Sequence, residues 1–114
     1  MFDLEKELER SWARCFKKDG GVQLKFESPS MNGVADRINF LDTWCFFIEF
    51  KRHDGRAAHI QIHFANMMRR QGFKVYLIDT TRRLDDLLYA YRAQRMTGYW
   101  PPYIPERLEL LHVV

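Results

Sequence analysis

Read for the spacing of its apolar positions, the chain alternates between helical and extended stretches. Leu4, Leu8, Trp12, Cys15 and Phe16 recur at three- and four-residue intervals, which predicts a helix from about Leu4 to Lys18 with one buried face. Asp3 can cap it through the free amides of the first turn, and Gly20-Gly21 supplies the stop. A β-prone run follows from Val22 to Glu27, and then Ser28-Pro29-Ser30-Met31-Asn32-Gly33 has the composition of a loop. Asp36 to Leu41 and Thr43 to Lys51 are two further strand-like runs, rich in branched and aromatic residues and divided at Asp42, the pattern of a hairpin. Asp54-Gly55 turns the chain into a helix from about Ala57 to Gln71, ended by Gly72, and Phe73 to Asp79 reads as another strand. Thr80 or Thr81 caps a last helix, Leu84 to about Arg95. The predicted order is αβββαβα, an α/β fold with a mixed sheet flanked by helices.

At 114 residues the length suits one domain, placed at residues 1–97. Residues 98–114 carry three prolines and the aromatics Tyr99, Trp100 and Tyr103, and are expected to form an extended arm, unlikely to be helical before Glu106, that packs on the domain or on a partner subunit. With 46% hydrophobic and 29% charged residues, the chain has the balance of an ordinary globular protein. No apolar run approaches the ~20 residues that span a bilayer, and the charged N-terminus does not resemble a secretory signal, so the expected location is the cytoplasm, with no membrane partner. Cys15 and Cys45 fit no metal-ligand spacing and are expected to be buried, unpaired thiols. A net charge of +3 permits an acidic partner such as nucleic acid without demanding one.

The chemistry concentrates at the hairpin. Alternation along a strand puts Glu49 and Lys51 on one face and turns Phe50 into the core. If Asp36 opens the preceding antiparallel strand, it lies beside Glu49, and two carboxylates and one amine converge. Asp36, Glu49 and the Phe50 carbonyl form a hard-oxygen set suited to Mg²⁺ (or Mn²⁺), and Lys51 can steady a phosphate or orient a water for phosphodiester hydrolysis. Taken alone, the Glu49-Phe50-Lys51 tripeptide is equally a solvated ion pair.

The first helix adds to the picture. On a wheel of ~100° per residue, Glu5 and Glu9 fall inside the apolar arc, where like charges four residues apart repel unless a cation lies between them. The alternative is that they reach solvent at the stripe's edge or meet an arginine. In the second helix Ile60, Phe64, Met67, Met68 and Ala57 make the expected apolar face, with Gln61 at its border and directed at the sheet, where its amide can hold a catalytic carboxylate or the attacking water. Ile62 is expected to face away, beside Arg69. His59 and His63 have a zinc-like spacing but no third ligand. Lys25, Arg37, Arg52 and Arg56 surround the expected site and are candidates for contacts with a DNA backbone.

The segments Gly33-Val34-Ala35-Asp36-Arg37-Ile38, Phe47-Ile48-Glu49-Phe50-Lys51, Gly55-Arg56 with Gln61, and Gly72-Phe73-Lys74-Val75-Tyr76 together resemble the virus-type replication-repair nuclease (VRR-NUC) domain of the PD-(D/E)XK superfamily. The likeness runs from about Leu4 to Arg92 and is to a stand-alone, phage-type member. It implies a restriction-endonuclease-like fold in which Asp36 and Glu49 bind metal, Lys51 is the catalytic lysine, Gln61 is the helix glutamine, and Glu9, with Glu5 as its neighbour, is the helix-one metal ligand. Ser28 falls in the loop after the first strand and joins the expected DNA contacts. Ala35 stands where the family usually has proline, and Ala58 where it often has a capping Ser or Thr. The resemblance further implies a metal-dependent DNA endonuclease acting as a homodimer on branched DNA such as four-way junctions, in a host cytoplasm and without an organic cofactor. A catalytically silent DNA-binding or scaffold module with the same fold is the competing expectation.

Overall fold

A computed structural model of the chain describes residues 4–27, 35–52, 57–98 and 101–110. Its elements are α1 (Leu4–Lys18), β1 (Val22–Lys25), β2 (Arg37–Leu41), β3 (Trp44–Phe50), α2 (His59–Arg70), β4 (Lys74–Ile78) and α3 (Thr81–Thr97), followed by a 3-10 turn at Glu106–Leu108. The predicted αβββαβα order is observed. The four strands form one sheet in the order β1-β2-β3-β4, antiparallel at the first two junctions and parallel between β3 and β4. A parallel pair cannot be joined by a tight turn, and α2 supplies the crossover.

Helices cover both faces of the sheet, which explains why β3 is apolar at nearly every position. Phe46, Ile48 and Phe50 point to one side, into a core with Leu8, Trp12 and Phe16 of α1 and Leu84, Leu87, Leu88 and Tyr91 of α3. Phe47 points to the other side and packs with Phe64 and Ala65 of α2 and Val75 of β4. Trp12 stacks on Phe16 at 4.9 Å between ring centroids and meets Phe46 edge-on at 5.9 Å, so the α1 stripe locks directly onto β3. Asn39 is buried in this layer, where it accepts from the Trp12 indole at 2.8 Å and donates to the Phe46 carbonyl at 3.3 Å. The far end of α1 is tied to α3, where Asp19 accepts from the Tyr91 hydroxyl and, at 2.7 Å, from Arg92.

The hairpin turns through Asp42, which has φ of 55°, a left-handed conformation that aspartate tolerates better than most residues. The third helix begins three residues earlier than its apolar pattern indicates, because the Thr80 side chain accepts from the Arg83 amide at 3.1 Å. In the final segment Pro102, Ile104, Leu108 and Leu110 are buried. Glu109 bridges antiparallel to Tyr76, and the Leu110 amide donates to the Val75 carbonyl at 2.7 Å, so this segment covers the outer edge of β4.

Two local expectations are corrected. Cys15 and Cys45 are unpaired but only partly buried. The inward face of α2 is turned relative to the expected stripe: Phe64 and Ala65 are buried and Ile62 packs against the core, whereas Ile60 is 46% exposed. The cause is Gln61, which is drawn inward by a carboxylate and carries the positions three and four residues on, Phe64 and Ala65, with it. The Asp3 cap and the 28–33 loop lie outside the described residues.

Candidate active site

The site is assembled where β2 begins and β3 ends. Register pairs Arg37 with Ile48, so Asp36, one residue earlier, comes opposite Glu49. The start of β2 and the end of β3 are tied together through these two acids. Asp36 Oδ2 accepts from the Phe50 amide at 3.0 Å, and the Asp36 amide donates to Glu49 Oε2 at 3.2 Å. The Lys51 amide extends the parallel pairing by donating to the Ile78 carbonyl at 3.1 Å, which keeps residues 49 to 51 in strand geometry. Lys51 Nζ then lies 3.3 Å from Glu49 Oε1.

Glu49 is the most constrained member, with its side chain only 2% exposed. Besides Asp36 and Lys51 it accepts from Gln61 Nε2 at 2.7 Å. The orientation of that glutamine is fixed from its other end, since Gln61 Oε1 accepts from the Ala58 amide at 2.9 Å. This is half of a capping box; the alanine has no side-chain acceptor to supply the other half. Burial, and then the neighbouring Asp36 charge, push the Glu49 carboxyl up to about 7 against the opposing pull of Lys51.

Across the start of β2, α1 delivers two more carboxylates. One oxygen each from Glu5, Glu9 and Asp36 lie within 4.8 Å of one another. Burial raises the Glu9 pKa; Arg37 opposes the rise, and Asp36 and Glu5 add to it. Arg37 lies 3.8 Å from Glu9, so both readings of Glu9 coexist: it meets an arginine and also joins an acidic group. The set inferred from sequence (Glu9, Asp36, Glu49 and the Phe50 carbonyl) and the set with oxygens close enough to share an ion overlap at Glu9 and Asp36. Glu5 enters the second set, while the Glu49 oxygens face the Asp36 amide, Gln61 and Lys51.

These residues fit a hard divalent cation. The clustered donors are all carboxylate oxygens, and the cost of burial, with the repulsion of neighbouring carboxylates added to it, that lifts Glu9 and Glu49 is what such an ion relieves. No group of metal-ligand side chains among the described residues includes His59 or His63, which are exposed on α2.

Comparison with solved structures returns a chain titled "VRR_NUC domain", with a TM-score of 0.71 and 20% sequence identity, matched over 76% of this chain and 96% of that one. The fold is that of a VRR-NUC domain. No protein-family model and no curated protein matches the sequence. Within the VRR-NUC fold, the sheet and the start of α2 bring Asp36, Glu49, Lys51 and Gln61 together, and α1 adds Glu9 with Glu5. The remaining basic candidates are more scattered. Lys25 is exposed on β1 and lies 3.2 Å from Glu27, Arg37 faces Glu9, and Arg52 is exposed directly after Lys51. Ser28 and Arg56 lie outside the described residues. Sequence reasoning missed Asn39, which holds α1 over the sheet and so sets where Glu9 stands. A lone Asn between Ile38 and Phe40 on the Trp12 side was the available signal.

Proposed function

We propose that this chain is a metal-dependent DNA endonuclease that hydrolyses phosphodiester bonds. The observation that carries the proposal is the reciprocal lock between Asp36 and Glu49 beside Lys51, with the Glu5 and Glu9 carboxylates facing the same aspartate, on a nuclease-type fold. Asp36, Glu9 and Glu5 would hold the cation, with Glu49 and the Phe50 carbonyl at its margin. A bound Mg²⁺ or Mn²⁺ supplies a Lewis acid for the phosphate oxygen and a lowered pKa for a coordinated water.

The chain's own groups do the rest. The ammonium of Lys51 donates to a phosphate oxygen or orients the attacking water, placed by its neighbour Glu49. Gln61 keeps Glu49 from rotating, because its amide is anchored at both ends. Near-complete burial of Glu49 means that its charge is expressed only when a positive group balances it, which couples cation binding to formation of the working site.

The preferred substrate in this proposal is branched DNA, such as a four-way junction, cut by a homodimer that brings two sites to one molecule in the cytoplasm of a host cell. Incubating the protein with a four-way junction and with plasmid, each with Mg²⁺ or Mn²⁺, tests it. Cleavage should require the metal and be abolished in Asp36→Ala and Lys51→Ala. Cutting that survives either substitution rules out this site, and binding without cutting under any metal identifies a silent DNA-binding module instead. Light scattering tests the assembly, since a monomeric mass argues against paired cleavage.

A further inference from the structure

Beside the acidic cluster, and sharing Glu9 with it, a groove of about 310 Å³ runs on the α1 face of the sheet. Lys6, Arg10 and Ala13 of α1 form one wall, and Gln23 of β1 and Arg37 of β2 form the floor and the other wall; Glu9 closes the end nearest Asp36. Three observations describe what this groove accepts. Its charged lining is three cations against one carboxylate. The cross-strand register also sets Lys25 directly opposite Arg37 on this face, a like-charge pair offset only in part by Glu27, 3.2 Å from the exposed Lys25, and Glu9, 3.8 Å from Arg37. Finally, the Gln23 Nε2 atom is buried and has no acceptor among the described residues.

A donor without an acceptor, on a residue lining a groove shared with guanidinium and ammonium groups, suits an acceptor-only, negatively charged ligand once its amide turns into the groove. Arg37 can serve it while keeping Glu9, because a guanidinium has five N–H donors and the Glu9 contact, at 3.8 Å, is loose. Ala13 lies four residues, about 6 Å, beyond Glu9 along α1, a step comparable to the spacing of successive phosphates in an extended strand. We propose that this groove is a subsite for a DNA backbone phosphate next to the one at the acidic cluster, with Arg10 and Arg37 supplying charge and Gln23 a directional hydrogen bond. The inference rests on the nuclease reading for the identity of the strand, and it fixes the side by which that strand leaves the site: between α1 and β1, away from α2. Contacts of this type hold a strand without reading its bases.

The test measures binding of a labelled DNA strand, in a Lys51→Ala background with Ca²⁺, as a function of salt. Arg10 is exposed, so Arg10→Ala should leave folding intact while reducing the slope of log affinity against log salt by about 1. Gln23→Leu should weaken binding roughly tenfold, the loss of one hydrogen bond to a charged acceptor, and leave the slope unchanged. If both variants bind with the affinity and slope of the Lys51→Ala parent, or if the parent binds no DNA, the subsite does not exist. Cleavage by the wild-type protein is scored separately. A groove that behaves as described in a protein that never cuts removes the nuclease reading alone, and cutting with no groove dependence removes only this inference.

Discussion

Replacing Glu49 by glutamine should stabilise the cation-free protein in mild alkali and destabilise it in acid. The folded-state pKa of about 7 stands above the ordinary value of 4.5, so between those values the folded protein binds more protons than the unfolded chain. Stability contributed by this group is therefore complete below pH 4.5 and is lost as pH rises through 7. At about 1.4 kcal/mol per tenfold change in proton affinity, the wild type gives up about 3 kcal/mol by pH 8. Glutamine mimics the protonated acid and avoids that loss. It cannot accept from both Gln61 and the Asp36 amide, however, and one buried hydrogen bond is worth about 1 kcal/mol. The expected balance is a gain of about 2 kcal/mol at pH 8 and a loss of about 1 kcal/mol at pH 4. Urea unfolding of both proteins in EDTA at the two pH values measures this, and the wild-type difference cancels every other titrating group. Added Mg²⁺ should stabilise the wild type more than the variant. A wild-type-to-variant difference that does not change with pH would refute the assignment of the buried charge.

Two further outcomes test the frame that holds the site. Asn39→Ala leaves the Trp12 indole N–H buried without an acceptor and should cost roughly 3 kcal/mol in urea unfolding, whereas the paired change Trp12→Phe with Asn39→Leu should recover a large part of that; strictly additive losses would contradict the hydrogen bond. Gly21→Ala would set a methyl inside the van der Waals envelope of the Phe16 ring, which is itself fully buried against Trp12, and should cost on the order of 2 kcal/mol as overpacking; an unchanged urea midpoint would show that the end of α1 yields easily.

Much of the fold was legible because local signals agree with tertiary demands. The stripe Leu8, Trp12, Phe16 and the continuous apolar run of β3 each specify one burial geometry, and both are realised. Signals failed where a single long-range polar contact overruled periodicity. On α2, Ile60, Phe64, Met67 and Met68 make a good stripe by hydrophobicity alone, yet the helix is set by the bond from Gln61 to Glu49, and Ile60 is left in solvent. Helix α3 is longer than its apolar pattern because a cap, with no hydrophobic signature, decides where it starts.

The same distinction governs the site. Glu49 and Lys51 were readable from strand alternation, and Asp36 from its place before the hairpin, because covalent geometry fixes those relations once the strands exist. What spacing could not supply is the direction of each carboxylate. Glu49 spends its oxygens on the Asp36 amide, Gln61 and Lys51, so the acids nearest to sharing an ion come instead from α1. Glu5 and Glu9 were conspicuous on the wheel for a physical reason: carboxylates four residues apart on an inward face repel each other and lose solvation, and no helix gains stability from that arrangement by itself. Burial raises the Glu9 pKa and Arg37 offsets that only in part, while Asp36 and Glu5 add to it. That charge stands uncompensated at the junction of α1, β2 and β3, whereas Asn39, buried in the adjoining layer, is satisfied by protein alone; a bound cation is what would restore the balance.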